Sequence, residues 1–140
     1  MKFKKIDEND FIIRLEVGEK IIESIQKFCS ENDIKLGYFH GLGAVGKIEL
    51  AHYRVENKKY SSEIIEDALE ILSLYGNITT MDNEIYLHSH IVVSNDKMQT
   101  FGGHLKEATI SATCEIILLS LKGNINRIHN EEIGLNLLDI

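Results

Sequence analysis

Three histidines in the second half of the chain, His88, His90 and His104, have the residue type and spacing of a metal site. His88 and His90 lie two residues apart in the apolar segment 85–93, which predicts a β-strand, so their side chains share one face. Two imidazoles placed in this way can bind one metal ion together. Zinc takes three or four such ligands in tetrahedral geometry, and catalytic zinc sites keep one position for water.

The third candidate ligand is His104, which follows a polar segment and the pair Gly102-Gly103. Because glycine adopts backbone conformations that other residues avoid, this pair permits a sharp turn that returns His104 to the strand. A His-x-His pattern alone more often marks the polar outer face of a sheet, and the third histidine is what favours a metal. No fourth ligand is evident, which fits an open zinc site better than a structural one. The other histidines, His40, His52 and His129, have no partner at ligand spacing.

Two glutamates inside apolar segments, Glu70 and Glu115, are the candidate catalytic residues. A carboxylate buried in a sheet needs a cation, a hydrogen-bond donor or a raised pKa. Either glutamate could then act as an acid or base, or could orient a histidine. The alternative is a rim position, or an ion pair with a residue such as Arg127. Cys114 lies in an apolar segment, which raises the pKa of a thiol, so it is a poor nucleophile.

One helix and a series of strands must position these residues. Residues 18–33 place Ile21, Ile25 and Phe28 on a single stripe at helical spacing. Segment 40–46 carries three glycines and predicts a bulge or close backbone packing, since no helix follows to make a phosphate site. The predicted strands cover residues 10–17, 36–39, 47–55, 69–80, 85–93 and 109–121, with turns at 57–59 and 81–84 and one more strand within 125–140.

One early helix followed by many strands predicts an α+β fold, with a mainly antiparallel β-sheet and the principal N-terminal helix against one face. Residues 113–119 are apolar at both odd and even positions, so the second face of the sheet also needs cover. We therefore expect a homo-oligomer. The length of 140 residues fits a single domain, residues 1–140.

Composition and charge limit the classes of function. The formal net charge of −7 repels phosphate backbones and anionic membranes, so a DNA partner is disfavoured. No apolar run has the length of a membrane span, and the first ten residues lack the apolar segment of a signal peptide. The two cysteines, Cys29 and Cys114, lie far apart and fit reduced thiols. We therefore expect a cytoplasmic protein.

Several motifs together resemble one known family. They are Gly41-Leu42-Gly43-Ala44-Val45, Glu70 to Ile78, Leu87-His88-Ser89-His90, Gly102-Gly103-His104-Leu105, Thr113-Cys114-Glu115-Ile116 and Arg127 to Leu138. In these segments, which follow the family order along nearly the whole chain, the sequence is similar to the plants and prokaryotes conserved (PPC) domain, or DUF296, in its stand-alone prokaryotic form. One departure is Asp82-Asn83, where the family more often has Asp-Gly.

The resemblance implies an α+β fold similar to that of acetolactate decarboxylase, assembled as a homotrimer. It implies Zn²⁺, or another divalent metal, bound by His88, His90 and His104, with a small-molecule ligand nearby and metal-dependent lyase- or hydrolase-like activity as an open expectation. Plant members join the domain to an AT-hook that binds DNA, and no Arg-Gly-Arg hook occurs in this sequence. The alternative is a DNA-binding or protein-interaction module in which the histidines are structural.

Overall fold

The structure is a computed structural model that describes residues 1–140. It contains one α-helix, near the N-terminus, and eight β-strands, so most of the chain is extended. The elements are β1 (Lys2–Lys5), β2 (Asp10–Glu16), α1 (Ile21–Glu31), β3 (Gly37–Arg54), β4 (Lys59–Met81), β5 (Glu84–Ser94), β6 (Thr100–Ser120), β7 (Arg127–Asn130) and β8 (Leu135–Leu138).

The strands form one large and one small antiparallel sheet. Six strands pair in the order β1-β2-β6-β3-β4-β5, and β7 and β8 pair separately. The first part of β6 also pairs with β5, so β3, β4, β5 and β6 close into a ring. The predicted fold class, a mainly antiparallel sheet with one principal N-terminal helix, is therefore confirmed.

The helix covers one face of the large sheet with the stripe that its sequence predicts. Ile21, Ile25 and Phe28 are fully buried. The ring of Phe28 packs edge-on against Phe11 of β2, with 5.3 Å between ring centroids. Burying such apolar side chains is the main favourable contribution to folding. At 11 residues, α1 is not long and apolar enough to cross a membrane, and no other helix is present.

Two strands begin earlier than the sequence predicts. β4 begins at Lys59 rather than residue 69, and β6 begins at Thr100 rather than residue 109. Residues 59–66 pair with β3, and residues 100–104 pair with β5. These segments are mostly polar and exposed, so they lack the apolar periodicity that marks a strand, and hydrogen bonds to a neighbouring strand hold them extended.

The chain ends also differ from the prediction. The single strand expected within residues 125–140 is a hairpin, β7 and β8, which forms its own sheet. Strand β1 was not predicted, and it pairs with β2 over residues 2–5. Both pairings are made by four-residue strands, which are too short for alternation to mark them.

The glycine segment 40–46 lies inside β3 and carries the irregularities that it predicts. The register between β3 and β4 shifts between Gly41 and Gly43, and again between Val45 and Lys47. A methyl group added at Gly43 would overlap the backbone of Thr113 on β6. Close backbone packing therefore requires glycine at this position.

The tight turn predicted at residues 81–84 joins β4 to β5. Asp82 has a φ of 53° and Asn83 a φ of 66°, so both central residues adopt the left-handed conformation. A two-residue turn of this kind matches the twist of the flanking strands, and Asn tolerates it better than most residues. Asn83 therefore takes the place of the family's more frequent glycine without loss of the hairpin.

Candidate metal centre

The register of β5 and β6 places two of the histidines directly opposite each other. His90 of β5 is the cross-strand partner of His104 of β6. His88 precedes His90 by two residues on the same strand and therefore shares its face. The structure therefore brings the three side chains together, as the sequence predicts.

The two glycines before His104 act differently from the sequence prediction. Gly102 and Gly103 lie within β6, paired with Val92 and Ile91, and the turn is made earlier, at residues 95–99. A Cβ atom at Gly103 would lie 2.9 Å from the backbone oxygen of Ala51 on β3, and one at Gly102 would lie 3.0 Å from that of Ile91. The glycines therefore let β6 pack closely between its neighbours instead of turning the chain.

The turn itself is built by Asn95. Its side-chain oxygen accepts hydrogen bonds from the backbone N–H groups of Lys97 and Gln99, each at 3.0 Å. Met98 completes the turn with a φ of 59°. This local hydrogen bonding, typical of an Asx turn, sets the register that brings His104 opposite His90.

The geometry of the three imidazoles fits one metal ion. Ring centroids are 5.3 Å apart for His88 and His90, 5.4 Å for His88 and His104, and 5.6 Å for His90 and His104. One nitrogen from each ring lies within 4.8 Å of the others. Nitrogens bound tetrahedrally to one zinc ion at about 2.1 Å lie about 3.4 Å apart, so the nitrogens would close by at most about 1.4 Å, a change that side-chain rotation can supply.

Burial keeps two of these rings in the form that binds metals. Burial lowers the pKa of His88 to about 4, with further lowering by the charges of His104, Arg127 and His90. Burial also lowers the pKa of His104, and His90 and Lys106 contribute. Both imidazoles are therefore neutral at pH 7, and each has a nitrogen lone pair for a cation.

A small pocket opens beside the histidines. Its volume is about 290 Å³, at the lower end of the range for ligand sites. Tyr75 and Asn77 of β4 are the cross-strand partners of His90 and His88, so they line the pocket from the same face. The complete lining is Tyr38, Tyr75, Gly76, Asn77, His88 and His90.

Tyrosines also border the cluster, next to His104. The ring of Tyr60 lies 5.5 Å from that of His104, and Tyr53 packs 4.8 Å from Tyr60. Burial raises the pKa of Tyr60, and neighbouring Tyr86 and Tyr53 raise it further. The Tyr60 hydroxyl is therefore protonated at neutral pH and can donate a hydrogen bond.

The two candidate glutamates are not part of this cluster. Glu70 and Glu115 are both exposed, so the interpretation of either as a buried carboxylate is wrong. Each lies in a strand whose alternate residues enter the core while the glutamate faces outward. Glu70 pairs with Ser94, four residues and roughly 13 Å along β5 from His90. Glu115 is eleven residues, roughly 36 Å along β6, from His104.

Of the two alternatives, a rim position agrees with the exposure of both glutamates, and neither of them pairs with Arg127. The Arg127 Nε donates to the Thr79 hydroxyl at 2.9 Å, and Nη1 donates to the Asn136 carbonyl at 2.8 Å. His129 lies in the same hairpin and bonds Asn136 through Nδ1 at 3.0 Å. His40, His52 and His129 lie outside the three-histidine group.

Sequence reasoning missed three residues near the cluster, Tyr60, Tyr86 and Arg127. The alternation of side chains along a strand does indicate Tyr86, because Tyr86 lies two residues before His88 and therefore on the same face of β5. Tyr60 lies in the polar part of β4 that was not predicted as strand, and Arg127 arrives with a hairpin whose docking is a tertiary event. The sequence carries no signal for the position of Tyr60, and although Arg127 begins one of the family motifs, that motif does not show where the hairpin docks.

Comparison with known families identifies the class of protein. The profile of the Plants and Prokaryotes Conserved (PCC) domain matches residues 4–122. The chain belongs to this family, as its motifs predicted.

Two solved structures share nearly all of this fold. A protein from Bacteroides thetaiotaomicron, to which DNA binding has been assigned provisionally, is 31% identical, covers 99% of this chain and 96% of its own, and has a TM-score of 0.95. A protein from Archaeoglobus fulgidus described as metal-containing is 32% identical, covers 99% of both chains, and has a TM-score of 0.88.

Two other similarities are more limited. The bifunctional protein GlmU of a Synechococcus strain is 28% identical over 107 residues, which make up 76% of this chain and 16% of GlmU. The chain therefore spans a small part of the length of that relative. Alpha-acetolactate decarboxylase from Bacillus subtilis is 16% identical, with a TM-score of 0.55 over 92% of this chain and 60% of the decarboxylase. At this identity it shares the fold alone.

Proposed function

We propose that this PCC-domain protein binds one divalent metal ion, Zn²⁺ first among them, through His88, His90 and His104. The observation that carries the proposal is that three imidazoles from two paired strands offer nitrogens within 4.8 Å of one another. Imidazole is a preferred ligand of zinc and related transition metals. The metal content described for the Archaeoglobus fulgidus relative supports the same assignment.

We further propose that the centre acts on a small carbonyl or carboxyl compound, in the manner of a metal-dependent lyase or hydrolase. A zinc ion with three protein ligands supplies a Lewis acid and an open position for water or substrate. The chain would contribute neutral imidazoles to hold the ion. The Tyr60 hydroxyl would donate a hydrogen bond beside it, and the pocket lined by Tyr75 and Asn77 would receive a small molecule.

The active assembly, in this proposal, is a homotrimer that buries the outer face of the large sheet. Ile12, Ile117, His40 and Tyr75 are successive cross-strand partners across β2, β6, β3 and β4. Ile12 and Ile117 are each 40% exposed and Tyr75 is 60% exposed, so three large side chains of this row are uncovered within one protomer, and His40 among them is half-buried. Exposed apolar surface of this kind marks an interface. That the assembly has three subunits is what the family resemblance implies.

Residues 1–140 would act as one domain in the cytoplasm, where the reducing environment keeps thiols free. Cys29 and Cys114 are both buried and unpaired. A reduced state fits this placement.

DNA binding is the second candidate, favoured by the description of the Bacteroides thetaiotaomicron relative. The net charge of −7 opposes it, and the basic clusters are short: Lys2, Lys4 and Lys5 form one, and Lys58 and Lys59 form the other. A gel-shift titration at low and moderate salt separates the two functions. Tight binding that weakens steeply with salt would favour DNA, and no shift at micromolar protein is expected from a metal-dependent enzyme.

Elemental analysis tests the metal proposal. Protein from zinc-replete growth, purified without chelators, is expected to carry about one zinc per chain. The double variant His88→Ala/His90→Ala should carry almost none, while His52→Ala, which alters an exposed histidine outside the cluster, should match the wild type. A metal-free wild type that takes up no zinc on dialysis would overturn the proposal.

A further inference from the structure

Arg127 is a buried cation without an anionic partner. The residue is 6% exposed, yet no carboxylate pairs with its guanidinium. Nε and Nη1 donate to neutral oxygens, of Thr79 and Asn136, and Nη2 makes no hydrogen bond within the chain. A buried charge is normally paired with an opposite charge, so this guanidinium has capacity for a carboxylate that the protein does not supply.

This cation packs against Tyr86, a neighbour of the first of the three histidines. The guanidinium carbon stacks 4.9 Å from the ring centroid of Tyr86. Tyr86 precedes His88 by two residues on β5, so its side chain lies on the same face as the cluster.

The hairpin that carries Arg127 is fixed at both ends. Its turn is held by the Tyr53 hydroxyl, which donates to the Ile133 carbonyl at 2.7 Å, and by Lys58 Nζ, which donates to the Glu131 carbonyl at 2.8 Å. Its strands are held by the contact between Arg127 and Thr79. The hairpin therefore positions the cation before any ligand arrives, and preorganisation of this kind strengthens binding.

We propose that Arg127 binds the carboxylate of a small ligand whose second oxygen, a carbonyl or hydroxyl, lies at the three-histidine centre. The inference rests on the proposed metal site, because the metal would hold that second oxygen. The ligand class is then a 2-oxo or 2-hydroxy carboxylate. A guanidinium matches the planar carboxylate group. The charge of Lys106, which also acts on His104, is already paired with Glu49, so Arg127 is left as the unpaired cation for a singly charged ligand.

Pyruvate is a suitable probe, and its methyl ester is the matched neutral control. Co²⁺-substituted protein is titrated with each compound, and binding is followed by the visible spectrum of the ion. Pyruvate is expected to bind at least about tenfold more tightly than methyl pyruvate, a difference of about 1.4 kcal/mol. Equal affinities would overturn the proposal, and this comparison needs no variant.

Variants of Arg127 then test whether this residue causes the preference for pyruvate over its ester. Arg127→Gln should weaken pyruvate binding at least about tenfold and leave binding of methyl pyruvate and the cobalt content unchanged. Arg127→Lys should recover part of the loss, and Arg54→Gln, at an exposed arginine, should behave as wild type. Unchanged pyruvate binding in a folded Arg127→Gln protein would also overturn it.

The two proposals fail in different ways. If the protein takes up no cobalt, the metal proposal fails, and calorimetry of pyruvate binding to the metal-free protein tests Arg127 alone. If metal-free wild type releases heat on binding pyruvate and Arg127→Gln does not, the carboxylate subsite is supported. If the wild type shows no such heat, the subsite is overturned as well. If cobalt binds but the anion has no advantage over the ester, only the subsite is lost.

Discussion

His90 and His104 face each other directly across the antiparallel pair of β5 and β6. His104 is also the partner of Ala51 on β3, so its strand is paired on both sides at this point. Because side chains alternate between faces, a slip of one residue would send His104 to the opposite face. The hydrogen-bond register of three strands therefore holds the cluster together, and this has measurable consequences.

Zinc should stabilise the folded protein. A ligand that binds only the native state at 100 times its Kd adds about 2.7 kcal/mol, which for a chain of this size raises Tm on the order of 10 °C. Differential scanning fluorimetry of metal-free protein with and without zinc measures the shift, and EDTA should reverse it. His104→Ala should lose the shift, and His52→Ala should keep it. An equal shift in both variants would place the zinc elsewhere.

The apolar row on the outer face should hold the assembly together. Wild-type protein is expected at three times the protomer mass of 15.9 kDa by light scattering after gel filtration. Ile117→Lys should give monomers, because a lysine charge would be buried at the interface without a partner. Ile128→Lys, at a residue 50% exposed on β7 and off this row, should remain trimeric. A monomeric wild type would contradict the trimer.

Gly76 should be intolerant of a side chain. It pairs with Ser89, between the two histidines of β5, and a methyl group there would overlap the buried ring of Phe39. Gly76→Ala should lower the free energy of unfolding by about 1–3 kcal/mol, the usual result of overpacking.

The matched control is Gly46→Ala, where the nearest atom to the added Cβ, on Ser111, lies 3.4 Å away. We expect that change to stay within about 0.5 kcal/mol. Urea denaturation measures both, and equal stabilities would show that Phe39 does not fill the space above Gly76.

Both thiols should be unreactive in the folded protein. Burial raises the pKa of Cys29 to about 12 and that of Cys114, with help from Glu115, also to about 12. The reactive thiolate is therefore scarce at pH 8. Ellman's reagent is expected to detect no thiol in native protein and two after denaturation. One rapidly reacting equivalent without denaturant would contradict this burial.

Sequence patterns predicted most of the fold and the histidine cluster because both depend on local periodicity. Alternation placed His88 and His90 on one face, and the stripe of Ile21, Ile25 and Phe28 gave the helix. The position of His104 was predicted for the wrong reason, since Asn95 makes the turn and Gly102-Gly103 lie in a strand.

The remaining features depend on tertiary pairing. The polar half of β4 is extended because β3 pairs with it, and only this extension brings Tyr60 against His104. Arg127 reaches the cluster through a docked hairpin held by Tyr53 and Lys58. Glu70 and Glu115 lie in apolar segments and yet are exposed, because alternate residues of a strand face outward even where the segment as a whole is apolar.

Anomalous diffraction from crystals of the zinc-loaded protein tests the metal centre most directly. We predict a single strong peak at the zinc edge, with nitrogens of His88, His90 and His104 about 2.0–2.1 Å away. A fourth position should remain open for water or a ligand oxygen. No peak at these histidines, or an ion whose ligands omit any of the three, would contradict the account.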